Sequence, residues 1–115
     1  MSRTVFLRNH LLLTLLLLAA TGSAFAHQAP SGWEYGRECC SNRDCARVPA
    51  PRVTPEGMLF HLPVGAHPAT AREPLTLLVP HRDRAIHPSG DEFWHLCIHP
   101  ELRVFYCVYM PVGGV

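Results

Sequence analysis

Hydrophobic and polar positions alternate most cleanly over residues 93–110. Phe93–Ile98 and Val104–Met110 are two β-rich runs, and His99-Pro100-Glu101-Leu102-Arg103 between them places proline at the second turn position. A period of two sorts the faces. Trp94, Leu96 and Ile98 share one face with Val104, Tyr106, Val108 and Met110, which is apolar and is the expected core. Phe93, His95, Cys97 and His99 fall on the other, with Phe105, Cys107 and Tyr109. Cys97 then stands opposite Cys107, and a cross-strand disulfide between them is expected. Such a bridge closes a short loop, so its contribution falls at the lower end of about 2–4 kcal/mol.

Two more apolar runs, Met58–Leu62 and Leu75–Val79, read as strands packed beside this hairpin. Thr54-Pro55-Glu56-Gly57 reads as a turn, 63–74 as a loop and 80–92 as a polar loop. Upstream, Ser41 stands as an N-cap with Asp44 three residues later, in the manner of a capping box. That spacing predicts one or two helical turns over 41–47, ended by Pro49-Ala50-Pro51. His27–Gly36 is turn-rich, with Trp33 and Tyr35 as anchors. The pattern predicts a small β-rich domain with short N-terminal helical turns, stabilised by disulfides and centred on the hairpin 93–110.

The first residues change the picture of where the chain resides. The sequence has 115 residues and a formal net charge of +1. Met1–His10 carries Arg3 and Arg8 and no acid, Leu11–Ala20 is an apolar run, and Ala24-Phe25-Ala26 is an A-x-A cleavage signature. This three-part order predicts a signal peptide over 1–26, removed on export, and a single domain over 27–115 in the periplasm or outside the cell. The apolar run falls short of the roughly 20 residues a membrane helix needs, and no second span follows. With Arg3 and Arg8 removed, the remaining eight arginines face nine acids, a balance that excludes an electrostatic nucleic-acid footprint.

All five cysteines, Cys39, Cys40, Cys45, Cys97 and Cys107, lie in the predicted mature chain. A small exported domain with cysteines at this density uses disulfides to supplement a thin core. Two bridges among five thiols allow 15 pairings, and an odd one is left over. No catalytic residue and no cofactor are expected. His87, Ser89, Asp91 and Asp83 carry the parts list of a hydrolase, but Pro88-Ser89-Gly90-Asp91 is also ordinary turn composition. The titratable residues fall mainly in loops, where solvation keeps pKa values ordinary. The rival reading is a copper or zinc site. His27, once N-terminal, offers an amine and an imidazole on one residue, and His95 and His99 on the hairpin would complete it.

These residues together resemble a family of small exported bacterial proteins of unknown function. The matching motifs are Trp33-x-Tyr35, Cys39-Cys40-Ser41-x-x-Asp44-Cys45, Ser89-Gly90-Asp91, His95-x-Cys97 and Cys107-x-Tyr109-x-Pro111. The resemblance implies export and a disulfide framework, and no activity, substrate or cofactor. The expected function is non-enzymatic, either structural or binding a protein or envelope component.

Overall fold

The structure, a computed structural model, describes residues 28–40 and 44–113. The segment read as a signal peptide, His27 and the Ser41 cap lie outside the described residues. In chain order the strands are β1 (Cys45–Val48), β2 (Arg52–Thr54), β3 (Gly57–Leu62), β4 (Leu75–Val79), β5 (Ile86–Pro88), β6 (Trp94–Ile98) and β7 (Phe105–Met110). They make a four-stranded sheet in the order β1-β6-β7-β5 and a three-stranded sheet in the order β2-β3-β4. The domain is small, β-rich and disulfide-stabilised, as its alternation predicts.

The hairpin lies at the centre of the larger sheet. Cys97 pairs with Cys107, Leu96 with Val108 and His95 with Tyr109, which is the register that alternation gives. A bulge follows between Cys97 and Ile98, so that Ile98 pairs with Phe105 and one extra residue stands on β7. The extra residue exchanges two faces read from strict alternation. Phe105 packs on the apolar core, whereas Tyr106 packs with the cysteine side. Val104 precedes the strand and is exposed.

The turn at Thr54–Gly57 forms as its composition predicts, with the Gly57 N–H donating to Thr54 Oγ1 at 3.2 Å. It joins β2 to β3, and β3 continues to β4 in an antiparallel meander. Met58, Phe60 and Leu62 alternate inward from β3. They meet Trp94, Leu96, Ile98 and Val108 of the larger sheet in one apolar cluster, closed by Val48 and Val79.

Two local readings are corrected. Residues 45–47 are strand, not helical turn: β1 pairs antiparallel with β6, Cys45 opposite Cys97. A helical turn this short has little stability of its own, so pairing with a buried strand outweighs its local signals. Asp44 does not cap. Its backbone carbonyl accepts from Ile98 N–H at 2.8 Å and its carboxylate from the Tyr106 hydroxyl. The chain does make a helical turn just upstream, where the amides of Cys39 and Cys40 both donate to Gly36 O. Finally, the loop 80–92 contains β5, three residues parallel to β7, with Ile86 packed on the core.

All five residues of β6 are buried. One face of the larger sheet is covered by the smaller sheet. The other is covered by the arm 28–40, whose Ala29, Tyr35 and Cys39 cluster with Cys45, Cys97, Cys107 and Tyr109.

Candidate functional site

Two groups of chemically active side chains lie on the arm-covered face. The first runs from Asp91 through His95 to Tyr35. β6 carries His95 into the interior, where it is fully buried. Its Nε2 lies 2.8 Å from Asp91 Oδ1 and its Nδ1 2.7 Å from the Tyr35 hydroxyl. A carboxylate only accepts, so Nε2 carries a proton, and in the neutral imidazole Nδ1 then accepts from the phenol.

Asp91 is held from several directions. Its Oδ2 accepts from the Ser31 hydroxyl and from Trp33 Nε1–H at 2.9 Å, and its Oδ1 also accepts from Phe93 N–H at 2.9 Å. Burial by itself would raise the carboxyl. The bonds from Ser31, Trp33, His95 and Phe93 outweigh it and hold Asp91 well below the usual carboxylate range. Burial also pushes the Tyr35 phenol above its ordinary range, and the Asp91 charge adds to this. Trp33 closes the group with edge-on contacts to Tyr35, His95 and Tyr109. A side chain at Gly90 would collide with the Trp33 ring, so glycine lets that loop approach the arm.

The expectation that titratable groups sit in solvated loops is therefore corrected. His95 is a strand residue in the interior. His67, in the loop before β4, is also buried: its Nδ1 accepts from Ala69 N–H at 3.0 Å and its Nε2 donates to Leu96 O at 3.0 Å. Burial lowers the His67 pKa against the opposing effect of the Leu96 carbonyl. Alternation places His95 on a face, but no pattern in the sequence marks the second layer that covers it.

The parts list Ser89, Asp91 and His87 does not assemble as read. Ser89 Oγ lies 3.0 Å from Asp91 Oδ1 and 2.9 Å from Phe93 O, inside its own turn. His87 faces Cys107, with Nε2 3.6 Å from Sγ. Asp83 accepts from Ala85 N–H at 2.8 Å.

The second group is sulfur. The disulfides are Cys39–Cys107 and Cys45–Cys97, spanning 68 and 52 residues. The expected Cys97–Cys107 bond is corrected, although its register is right. Cys45, Cys97 and Cys107 stand in one row across β1, β6 and β7. Cys97 bonds to the β1 side, leaving Cys107 for the arm. Each closes a long loop, which in the chain-entropy account contributes about 4 kcal/mol, more than a hairpin bridge supplies. Cys40 belongs to neither bridge and is half-buried.

Of the rival metal reading, His27 lies outside the described residues, and His95 and His99 are engaged within the fold. His95 uses both ring nitrogens on Tyr35 and Asp91, and His99 Nδ1 accepts from the amides of Glu101 and Leu102 in the hairpin turn. Among the described residues the potential ligands that converge are Cys39, His87 and Cys107. Compared with family models, curated proteins and solved structures, the chain matches none.

One further feature concerns backbone. β4 is an edge strand: β3 pairs with one side, and no other described segment donates a backbone bond to the opposite side. Its sequence, LTLLV, holds no charge and no proline, and Thr76 and Leu78 are exposed. The other edges are shorter or carry arginine or proline, namely Arg47 in β1, Arg52 in β2 and Pro88 in β5. Among the described residues no helix is long and apolar enough to cross a membrane.

Proposed function

We propose that the protein is an exported, non-enzymatic domain that binds an extended segment of a partner protein along β4. The observation that carries this reading is the β4 edge. Natural sheets blunt their edges with charge, proline or short length, and β4 has no charge or proline and is the longest of the four edge strands. A row of unpaired amides and carbonyls is satisfied by another strand, and the exposed Thr76 and Leu78 give the added strand alternate side chains to meet. The fate of the polar network supports the non-enzymatic half. Asp91, His95 and Tyr35 are spent on one another and on anchoring the arm, and the hydroxyl on His95 is a buried phenol made harder to ionise.

A photo-crosslinking residue at Thr76, in cells producing the full chain, should give a discrete protein adduct. Leu78→Lys should abolish it, and the same probe at exposed Arg37 should not produce it. Equal adducts from both positions, or an adduct indifferent to Leu78→Lys, overturn the docking surface. Export is checked separately: N-terminal sequencing of the produced protein should begin at His27, and a chain beginning at Met1 contradicts it.

A further inference from the structure

Cys39, His87 and Cys107 come from the arm, β5 and β7, yet their ligand atoms all lie within 4.8 Å of one another. β5 brings this about. It runs parallel to β7 with His87 in register with Tyr109, and the imidazole lies against the Tyr109 ring with centroids 5.5 Å apart. His87 Nε2 faces Cys107 Sγ at 3.6 Å, and Cys39 is bonded to that same sulfur. An imidazole held against a disulfide adds little to a purely structural staple. Two thiolates and an imidazole are a soft-to-borderline ligand set suited to a tetrahedral ion.

We propose that Cys39, Cys107 and His87 form a redox-gated site for a divalent ion of the zinc class. In the oxidised chain the two sulfurs are consumed in their mutual bond. A dithiol reductant supplies two electrons: the Cys39–Cys107 bond breaks, two thiols form, and the reductant leaves as its own disulfide. The ion then displaces one proton from each thiol to solvent, forming two metal–sulfur bonds, and takes the lone pair of the neutral His87 Nε2. Thiolates on a tetrahedral zinc ion stand about 3.8 Å apart, so the sulfurs need only swing aside within the cluster. Three protein ligands leave a fourth position for water. This site is separate from the β4 edge, and its failure leaves that reading untouched.

The test uses the full chain, reduced with a phosphine, freed of reductant without oxygen and titrated with cobalt(II). The reduced chain should bind one equivalent, with thiolate charge-transfer absorption and the strong visible bands of a tetrahedral ion, and zinc should displace it. The oxidised chain should show neither band. His87→Ala keeps every cysteine and both disulfides, so its oxidised form starts folded; once reduced, it should bind at least tenfold more weakly. Cys45→Ala/Cys97→Ala should retain the site and Cys39→Ala/Cys107→Ala should lose it. No binding by the reduced chain overturns the proposal. So does binding that ignores His87→Ala, as a ligand set drawn from an unfolded chain would give, or binding that follows Cys45 and Cys97 instead.

Discussion

The two faces of the larger sheet are both buried, but by different chemistry. Toward the smaller sheet, Trp94, Leu96, Ile98 and Val108 meet Met58, Phe60, Leu62 and Val79, and the contact is almost wholly apolar. Toward the arm, the same strands present His95, Cys97, Cys107 and Tyr109 to Tyr35 and Cys39, and the contact is made of one disulfide, aromatic edges and a buried hydrogen-bond chain. The first face rests on area removed from water, which is indifferent to redox state. The second rests on a covalent bond and on one charged carboxylate. An arm of about a dozen residues without strands has too little apolar surface to offset its ordering entropy, so covalent and polar links do that work.

The largest expected effect breaks the apolar side. Phe60 is fully buried between the sheets, and Phe60→Ala should cost about 3–5 kcal/mol in denaturant unfolding. The loss should be of similar size in oxidised and reduced protein, because no disulfide closes on β3. A loss that vanishes on reduction would mean that the apolar core forms only on top of the bridges.

The next effect is confined to the other side. Cys39→Ala/Cys107→Ala should cost about 2–4 kcal/mol. Hydrogen exchange should quicken at Ala29 and Gly36, whose amides donate to Trp33 O and to the Tyr109 hydroxyl, while Phe60 keeps its protection. Equal loss at Phe60 would show the two faces to be one cooperative unit.

The smallest effect separates the faces by pH. Asp91 titrates below its ordinary range in the folded chain, so its contribution is complete above about pH 4 and is lost as pH falls from there toward the folded value. His67 is held neutral beside Leu96, with its folded pKa below the ordinary 6.5, so its contribution is complete above that pH and shrinks as pH falls below it. Unfolding measured against pH should show two steps. Asp91→Asn should remove the acid step and His67→Gln the one nearer neutrality. A single step surviving both variants would assign the acid sensitivity elsewhere.

What could be read from the sequence follows the same division. The apolar side was legible. Alternation along 93–110 gave the hairpin register, and the runs at 58–62 and 75–79 are strands of the opposing sheet. The arm side was not. Trp33 and Tyr35 sit among turn residues with no period, so their burial depends on contacts nearly 60 residues away. β5 is three residues ending in proline, below the length at which a period exists. The helical preference read over 45–47 is local, and pairing with β6 overrides it. Strict alternation also cannot foresee a bulge, which is why Phe105 and Tyr106 exchanged faces.

The cysteine row across β1, β6 and β7 has a consequence for how the chain first oxidises. Cys97 and Cys107 are only ten residues apart in sequence and face each other as soon as the hairpin closes. The native bonds must wait for partners 52 and 68 residues away. Closing this short loop costs less entropy than closing either native loop, so the hairpin bond is kinetically favoured over both native bonds. Exchange then proceeds along the row. The Cys45 thiolate attacks Cys97 from the next strand and Cys107 leaves as a thiolate; a second two-electron oxidation, by exchange with an external disulfide that departs as its dithiol, then joins Cys107 to Cys39. Maturation thus becomes a sulfur hand-off across adjacent strands, completed only when both the edge strand and the arm have docked.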